Sequence, residues 1–119
     1  MQDFRKLRVW QLNRELTKAV YRMTASFPVT ERFGLVGQMR SAAVSIGANI
    51  AEGCGRGSRP DTLRFFQVAF GSAVELLHHI MTALDLELIT QKQFDDLEAK
   101  LDPIRRMLAK LMMRVRQAQ

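Results

Sequence analysis

Seven apolar residues near the C-terminal end, Phe94, Leu97, Leu101, Ile104, Leu108, Leu111 and Val115, are separated by alternating steps of three and four. Only a helix brings that spacing to one side, and so narrow a seam must be covered by other helices. The rest of the chain supplies them. Val9, Leu12, Leu16, Ala19, Val20, Met23 and Phe27 repeat the spacing, and Phe27-Pro28 stops the segment because proline biases its predecessor away from the α region. Phe33, Val36, Met39, Ala43, Ile46 and Ile50 predict a second helix, with Thr30 as its N-cap. Gly47 in mid-helix implies a close helix–helix approach or a local bend. Gly53, Gly55 and Gly57 predict a C-cap followed by a loop.

Pro60 and Asp61 suit the first turn of a third helix carrying Leu63, Phe66, Phe70, Ala73, Leu77, Ile80, Leu84 and Leu88. Thr90-Gln91-Lys92-Gln93 has the form of a capping box and predicts the start of the fourth. Pro103 predicts a kink there, or a fresh start with Asp102 as cap. With short connections, consecutive helices are antiparallel neighbours, so the expected fold is all-α: a single domain over residues 1–119, an up-down-up-down four-helix bundle. Seven Gly, three Pro and one Tyr are too few for an ordinary all-β sandwich.

That topology places charge. Residues 1–30 carry six basic and two acidic side chains, 31–60 four and two, 61–89 one and four, and 90–119 seven and four. The N-terminus, the loop between helices 2 and 3 and the C-terminus share one end. Arg5, Lys6 and Arg8 therefore meet Arg56, Arg59 and Arg64, and also Lys110, Arg114 and Arg116, with Asp3, Glu52 and Asp61 as partial offsets. The opposite end gathers Asp85, Glu87, Asp95, Asp96 and Glu98, diluted by Arg22, Arg32 and Lys92. With a net charge of +6, such a pole has the footprint of a polyanion partner, RNA or DNA. The bland alternative is that basic ends only keep a small protein soluble.

Other motifs resolve into ordinary roles. Gly53-Cys54-Gly55-Arg56-Gly57-Ser58 lacks the spacing of a phosphate loop and follows a helix instead of a strand. Glu75-Leu76-Leu77-His78 has the Glu-x-x-His spacing of bundle di-iron sites, but the other histidine, His79, is adjacent, so no second unit exists. Glu75 and His79 read as a helix-surface pair, and neither a metal nor a cofactor is expected. The single Cys54 has no partner for an internal disulfide and reads as an inert thiol of a reducing compartment. Seven methionines suit adaptable core packing, while Leu111-Met112-Met113 and Trp10 beside Val9 suggest apolar surface beyond one stripe, fit for a protein partner. The opening residues carry charge where a secretory signal needs an apolar run, and the uncharged stretch Ser41–Ala51 is too short and polar for a membrane span. The cytoplasm is the expected location. No set of ionisable residues converges as catalysis would require, so the chain reads as a non-enzyme.

Several stretches are similar to a known family: Phe4, Leu7 and Val9-Trp10; Phe27-Pro28; Glu31-Arg32-Phe33-Gly34-Leu35; Gln38-Met39-Arg40; Ala42-Ala43-Val44-Ser45-Ile46. Further along come Asn49-Ile50-Ala51-Glu52-Gly53-Cys54-Gly55-Arg56, Arg64-Phe65-Phe66 and Gly71-Ser72-Ala73-Val74-Glu75-Leu76. The chain resembles the four-helix-bundle proteins encoded in intervening sequences of bacterial 23S ribosomal RNA genes. It is more distantly similar to accessory proteins of diversity-generating retroelements, which use a basic bundle ring to bind nucleic acid and a reverse transcriptase. It departs from the family at Gly47-Ala48, where Pro-Ser is usual, and near Glu87-Leu88, where Gly-Tyr or Gly-Phe is usual. The resemblance implies a left-handed bundle assembled into a ring, a homopentamer, and carries over no enzymatic residue. Asn49 and Glu52, with Gly53 and Gly55, read as a structural motif: buried or interfacial polar groups, Glu52 pairing with an arginine or capping the loop.

Overall fold

The computed structural model describes residues 2–118. Asp3 opens the fold: its carboxylate accepts the backbone N–H of Arg5 (3.0 Å) and caps a short 3-10 turn, Phe4–Lys6. Helix α1 then spans Arg8–Thr24, α2 Gly37–Cys54, α3 Arg59–Asp85 and α4 Gln91–Gln117. Each helix packs on its neighbours in sequence and α4 closes on α1, which makes the four-helix bundle. Leu16, Val20, Met39, Ile46, Ile50, Leu76, Ile80, Leu97, Leu101, Ile104 and Leu108 form the solvent-free centre.

The helix signals act where the sequence puts them. The Ser58 hydroxyl accepts from the Asp61 N–H at 3.3 Å, and Pro60 sits in the first turn of α3, where its missing N–H leaves nothing unsatisfied. At Thr90 the capping box is complete: Thr90 Oγ1 accepts from Gln93 N at 3.1 Å and Gln93 Oε1 from Thr90 N at 2.8 Å. Pro103 does not start a new helix. α4 runs unbroken through it, and Asp102 pairs with Arg105 and Arg106 at 3.0 Å each.

The connection between α1 and α2 departs from the periodic reading. Thr30 caps nothing; it lies in a 3-10 turn, Val29–Glu31, followed by a wide π-type turn, Arg32–Val36. Gly34 leaves helical geometry there (φ −104°, ψ −108°), so residues before it lose register with α2. Phe33, expected on the inner face, is 92% exposed; Val36 is buried as expected, and Leu35 joins it in the core.

Two glycines, Gly47 and Gly53, serve close helix contact. No glycine has a positive φ; the cap of α2, Gly55, is right-handed (φ −88°, ψ −1°). A Cβ at Gly47 would lie 2.7 Å from Asn13 Nδ2, and one at Gly53 would lie 2.8 and 2.9 Å from the Phe66 ring. Gly47 therefore marks the close approach of α1 and α2, where buried Asn13 donates to the Ala43 carbonyl at 3.1 Å. Gly53 does the same for α2 against α3.

The left-handed position falls on Glu87 (φ 60°), where α3 ends in a Schellman motif: Leu88 N bonds Ala83 O at 2.9 Å and Glu87 N bonds Leu84 O at 3.0 Å. A side chain costs about 1 kcal/mol or more in that conformation. Glu87→Gly should therefore raise unfolding stability by about 1 kcal/mol, read as a higher urea midpoint. Gly53→Ala should lower it by about 1 kcal/mol, because overpacking against Phe66 exceeds the gain in helix propensity. An unchanged or raised midpoint for Gly53→Ala would contradict the packing account.

Candidate nucleic-acid interface

α4 begins on the predicted seam and then drifts off it. Its buried residues are Leu97, Leu101, Ile104, Leu108 and Met112, a mean step longer than the 3.5 residues of the sequence pattern. A straight helix turns about 20° per heptad away from a strict seven-residue repeat. By the last turns Met112 has taken the core position, and Leu111 and Val115 stand half-buried at the edge of the bundle. They line the grooves at the pole where α2 turns into α3.

All three chain segments meet there. One cleft is lined by Gln2, Gly53, Arg56, Arg59, Leu111 and Arg114, among others, so it joins the N-terminus, the α2–α3 turn and the end of α4. A second shares Arg59 and Val115 and adds Leu63 and Arg116. A third, between α1 and α4, holds Lys6, Arg8, Lys110 and Arg114. Arg5 lies in the turn just before α1, and Arg64 one turn into α3. All nine predicted cations thus fall at one pole of a molecule 49 Å long and 24 by 20 Å across.

Three of the nine have carboxylate partners. Arg5 pairs with Asp3 at 2.9 Å, Arg56 with Glu52 at 3.0 Å and Arg64 with Asp61 at 3.8 Å. The Arg5 guanidinium holds the Asp3 carboxyl below its ordinary value, chiefly through hydrogen bonds. Arg56 and Arg64 also lie over the Phe65 ring, each 4.6 Å from its centre. Glu52 is exposed, not buried, and pairs with an arginine, the first of the two roles expected of it. Lys6, Arg8, Arg59, Lys110, Arg114 and Arg116 have no carboxylate within 4 Å among the described residues and are exposed. The nine cations and three carboxylates of the pole account for the whole formal charge of +6; the remaining nine basic and nine acidic side chains cancel.

Other candidates settle into structural roles. Asn49, half-buried, donates to the Ser45 carbonyl at 2.8 Å, and Ser45 Oγ lies 2.9 Å from Ser72 Oγ across the α2–α3 contact. His79 Nε2 lies 3.1 Å from Glu75 Oε2 as a pair one turn apart. No group of three metal-ligating side chains forms among the described residues, and none of their helices is long and apolar enough to cross a membrane. Trp10 is half-buried with the Phe4 ring edge-on at 4.9 Å, while Met113 is exposed. Sequence reasoning flagged extra apolar surface at Leu111-Met112-Met113 but missed that Leu111 and Val115 stand together in the clefts of the pole, while Phe66 is core as expected.

The profile of a family described as 23S rRNA-intervening sequence protein matches residues 5–110. Among solved structures, the chain is similar to the crystal structure, at 1.70 Å, of a protein with unknown function from the S23 ribosomal protein family of Bacteroides thetaiotaomicron VPI-5482. Identity is 22%, the TM-score 0.79, and the match covers 87% of this chain and 97% of that one. At that identity the likeness carries the fold alone. No curated protein matches the sequence.

Cys54 lines the first cleft yet is buried, and burial first, then the Asp3 carboxylate, raises its thiol above the ordinary 9.0. Only the thiolate is nucleophilic. At pH 8 the folded protein should alkylate with iodoacetamide at least tenfold more slowly than the urea-unfolded chain. The raised value also means that folding favours the protonated thiol, so its stabilising contribution, complete below pH 9, should fall as pH rises through the folded value. Equal alkylation rates in the two states would contradict this placement of the thiol.

Proposed function

The chain belongs to the 23S rRNA-intervening sequence protein family, and from that premise we propose a cytoplasmic, non-enzymatic, oligomeric module whose basic pole contacts the phosphate backbone of RNA or DNA. The observation that carries this reading is the concentration of the entire net charge at one end of an elongated bundle. Screening acts over about 8 Å at physiological ionic strength. Carboxylates at the far pole therefore do little to weaken the field at the near one. Unpaired, exposed Lys and Arg are the groups that neutralise phosphates and release counterions.

Assembly into a ring, a homopentamer, belongs to the same proposal. It is supported by an uncharged band on the side of the bundle: Ser41–Ala51 of α2 and Phe65–Val74 of α3 carry no charge, and Val44, Val68 and Val74 are exposed. A ring would set several basic poles together, so that weak phosphate contacts add through effective concentration. The same exposed valines favour a second reading, an oligomeric scaffold that docks a protein partner without nucleic acid.

Anisotropy titration of labelled RNA and DNA, single- and double-stranded, over a range of salt separates the two. The first reading predicts binding at low salt with a steep linear fall of log K against log salt. Replacing Arg59 and Arg114 together by Gln should reduce the steepness by about two, one for each phosphate no longer neutralised. Light scattering should give five times the 13.6 kDa chain mass. No binding to RNA or DNA, single- or double-stranded, at low salt, or salt-insensitive binding, would reject the first reading in favour of the scaffold.

A further inference from the structure

A surface that only tracks phosphates needs cations, and the six exposed, unpaired ones suffice. The first cleft has more than that. It is an open groove of about 380 Å³ between the α2–α3 turn and the end of α4. Its floor is apolar: half-buried Leu111 and Val115, with core Phe66 behind them. Its rim holds exposed Arg56, Arg59 and Arg114. Sites for small organic groups start at about 300 Å³ and combine this kind of floor with a few convergent polar groups.

A duplex presents sugars and phosphates outward while its base faces stay stacked, so it would meet the rim and leave the floor empty. A nucleotide whose base is unstacked has both parts, a flat apolar-faced ring and a phosphate. We propose that the basic pole holds a seat for one unpaired nucleotide of a single strand, its base against Leu111 and Val115 and its phosphate on Arg59 and Arg114. This inference rests on the nucleic-acid reading above and narrows it to single-stranded or frayed ends.

The arginines divide the work. Arg56 is held by Glu52 and lies over Phe65, so its charge is partly answered and its position fixed. Arg59 and Arg114 have no carboxylate partner within 4 Å among the described residues and are the groups left for phosphate. The neighbouring cleft continues the track, since it shares Arg59 and Val115 and adds Arg116. A strand seated by one base therefore has a cation for its next phosphate, as in basic grooves that follow single strands.

The test compares four probes at one salt concentration: 5′-phosphorylated octamers of uridine and of thymidine, a blunt duplex with the same number of phosphates, and uridine monophosphate. The strands should bind about tenfold tighter than the duplex, the scale of covering part of one apolar side chain. Gly57→Leu tests the seat itself. Gly57 lines the cleft, its φ is not positive, and a Cβ there meets no atom within 4 Å, so the variant should fold and block the mouth without altering charge. It should bring strand affinity down to that of the duplex and leave duplex affinity as it was. As a readout in the unaltered chain, the uridine octamer should slow alkylation of Cys54, which lines the same cleft, and the duplex should not. Equal affinity for strands and duplex, or no effect of Gly57→Leu or of the octamer on Cys54, would overturn the seat while leaving backbone binding intact. The monophosphate binding as tightly as the octamers would overturn the strand in favour of a free nucleotide. No binding of any probe would overturn both readings.

Discussion

The turn that joins α2 to α3 is short, Gly55 to Ser58, and it forces two long helices to run antiparallel and in contact. Gly53 makes that contact possible two residues before the reversal, because its missing side chain leaves room for the Phe66 ring. The same reversal decides where the charges go. With each helix antiparallel to the next, the chain starts, turns and ends at one pole, and nine cations drawn from segments more than a hundred residues apart become neighbours. Nothing in the individual helices demands this polarity. It is a product of topology acting on where Lys and Arg fall in the chain.

The second constraint is the mismatch between a seven-residue repeat and a helix of 3.6 residues per turn. Along most of α4 the difference is absorbed, and Leu97, Leu101, Ile104 and Leu108 stay in the core. At the last turns it is not, and the seam hands over from Leu111 to Met112. Two apolar side chains are thereby left half-buried beside Arg59 and Arg114. A strictly supercoiled α4 would have buried Leu111 and Val115 and offered a purely cationic pole. The apolar floor is thus the product of a packing compromise, and it gives the pole a chemistry that charge alone lacks.

Much of this was legible in the residues. Steps of three and four located all four helices, Thr90 and Gln93 marked the start of α4, and chain order placed the basic pole. What the sequence hid depends on partners or on single dihedral angles. Phe33 fits the α2 period, but one non-helical residue at Gly34 turns it into solvent. Gly53 looks like a cap until the Phe66 ring is seen against it. Glu87 gives no sign of its left-handed backbone, since no glycine marks the end of α3. The clefts escape sequence reading altogether, since their walls come from three segments and their depth from a helix rotation smaller than one residue.

The central claim is that the molecule meets a polyanion with one end. Amide chemical-shift mapping tests it most directly: ¹⁵N-labelled protein titrated with a short RNA strand at low salt. The account predicts perturbations confined to residues 3–8, 53–64 and 107–118. Perturbations centred on the turn between α3 and α4, or along the uncharged faces of α2 and α3, would contradict it.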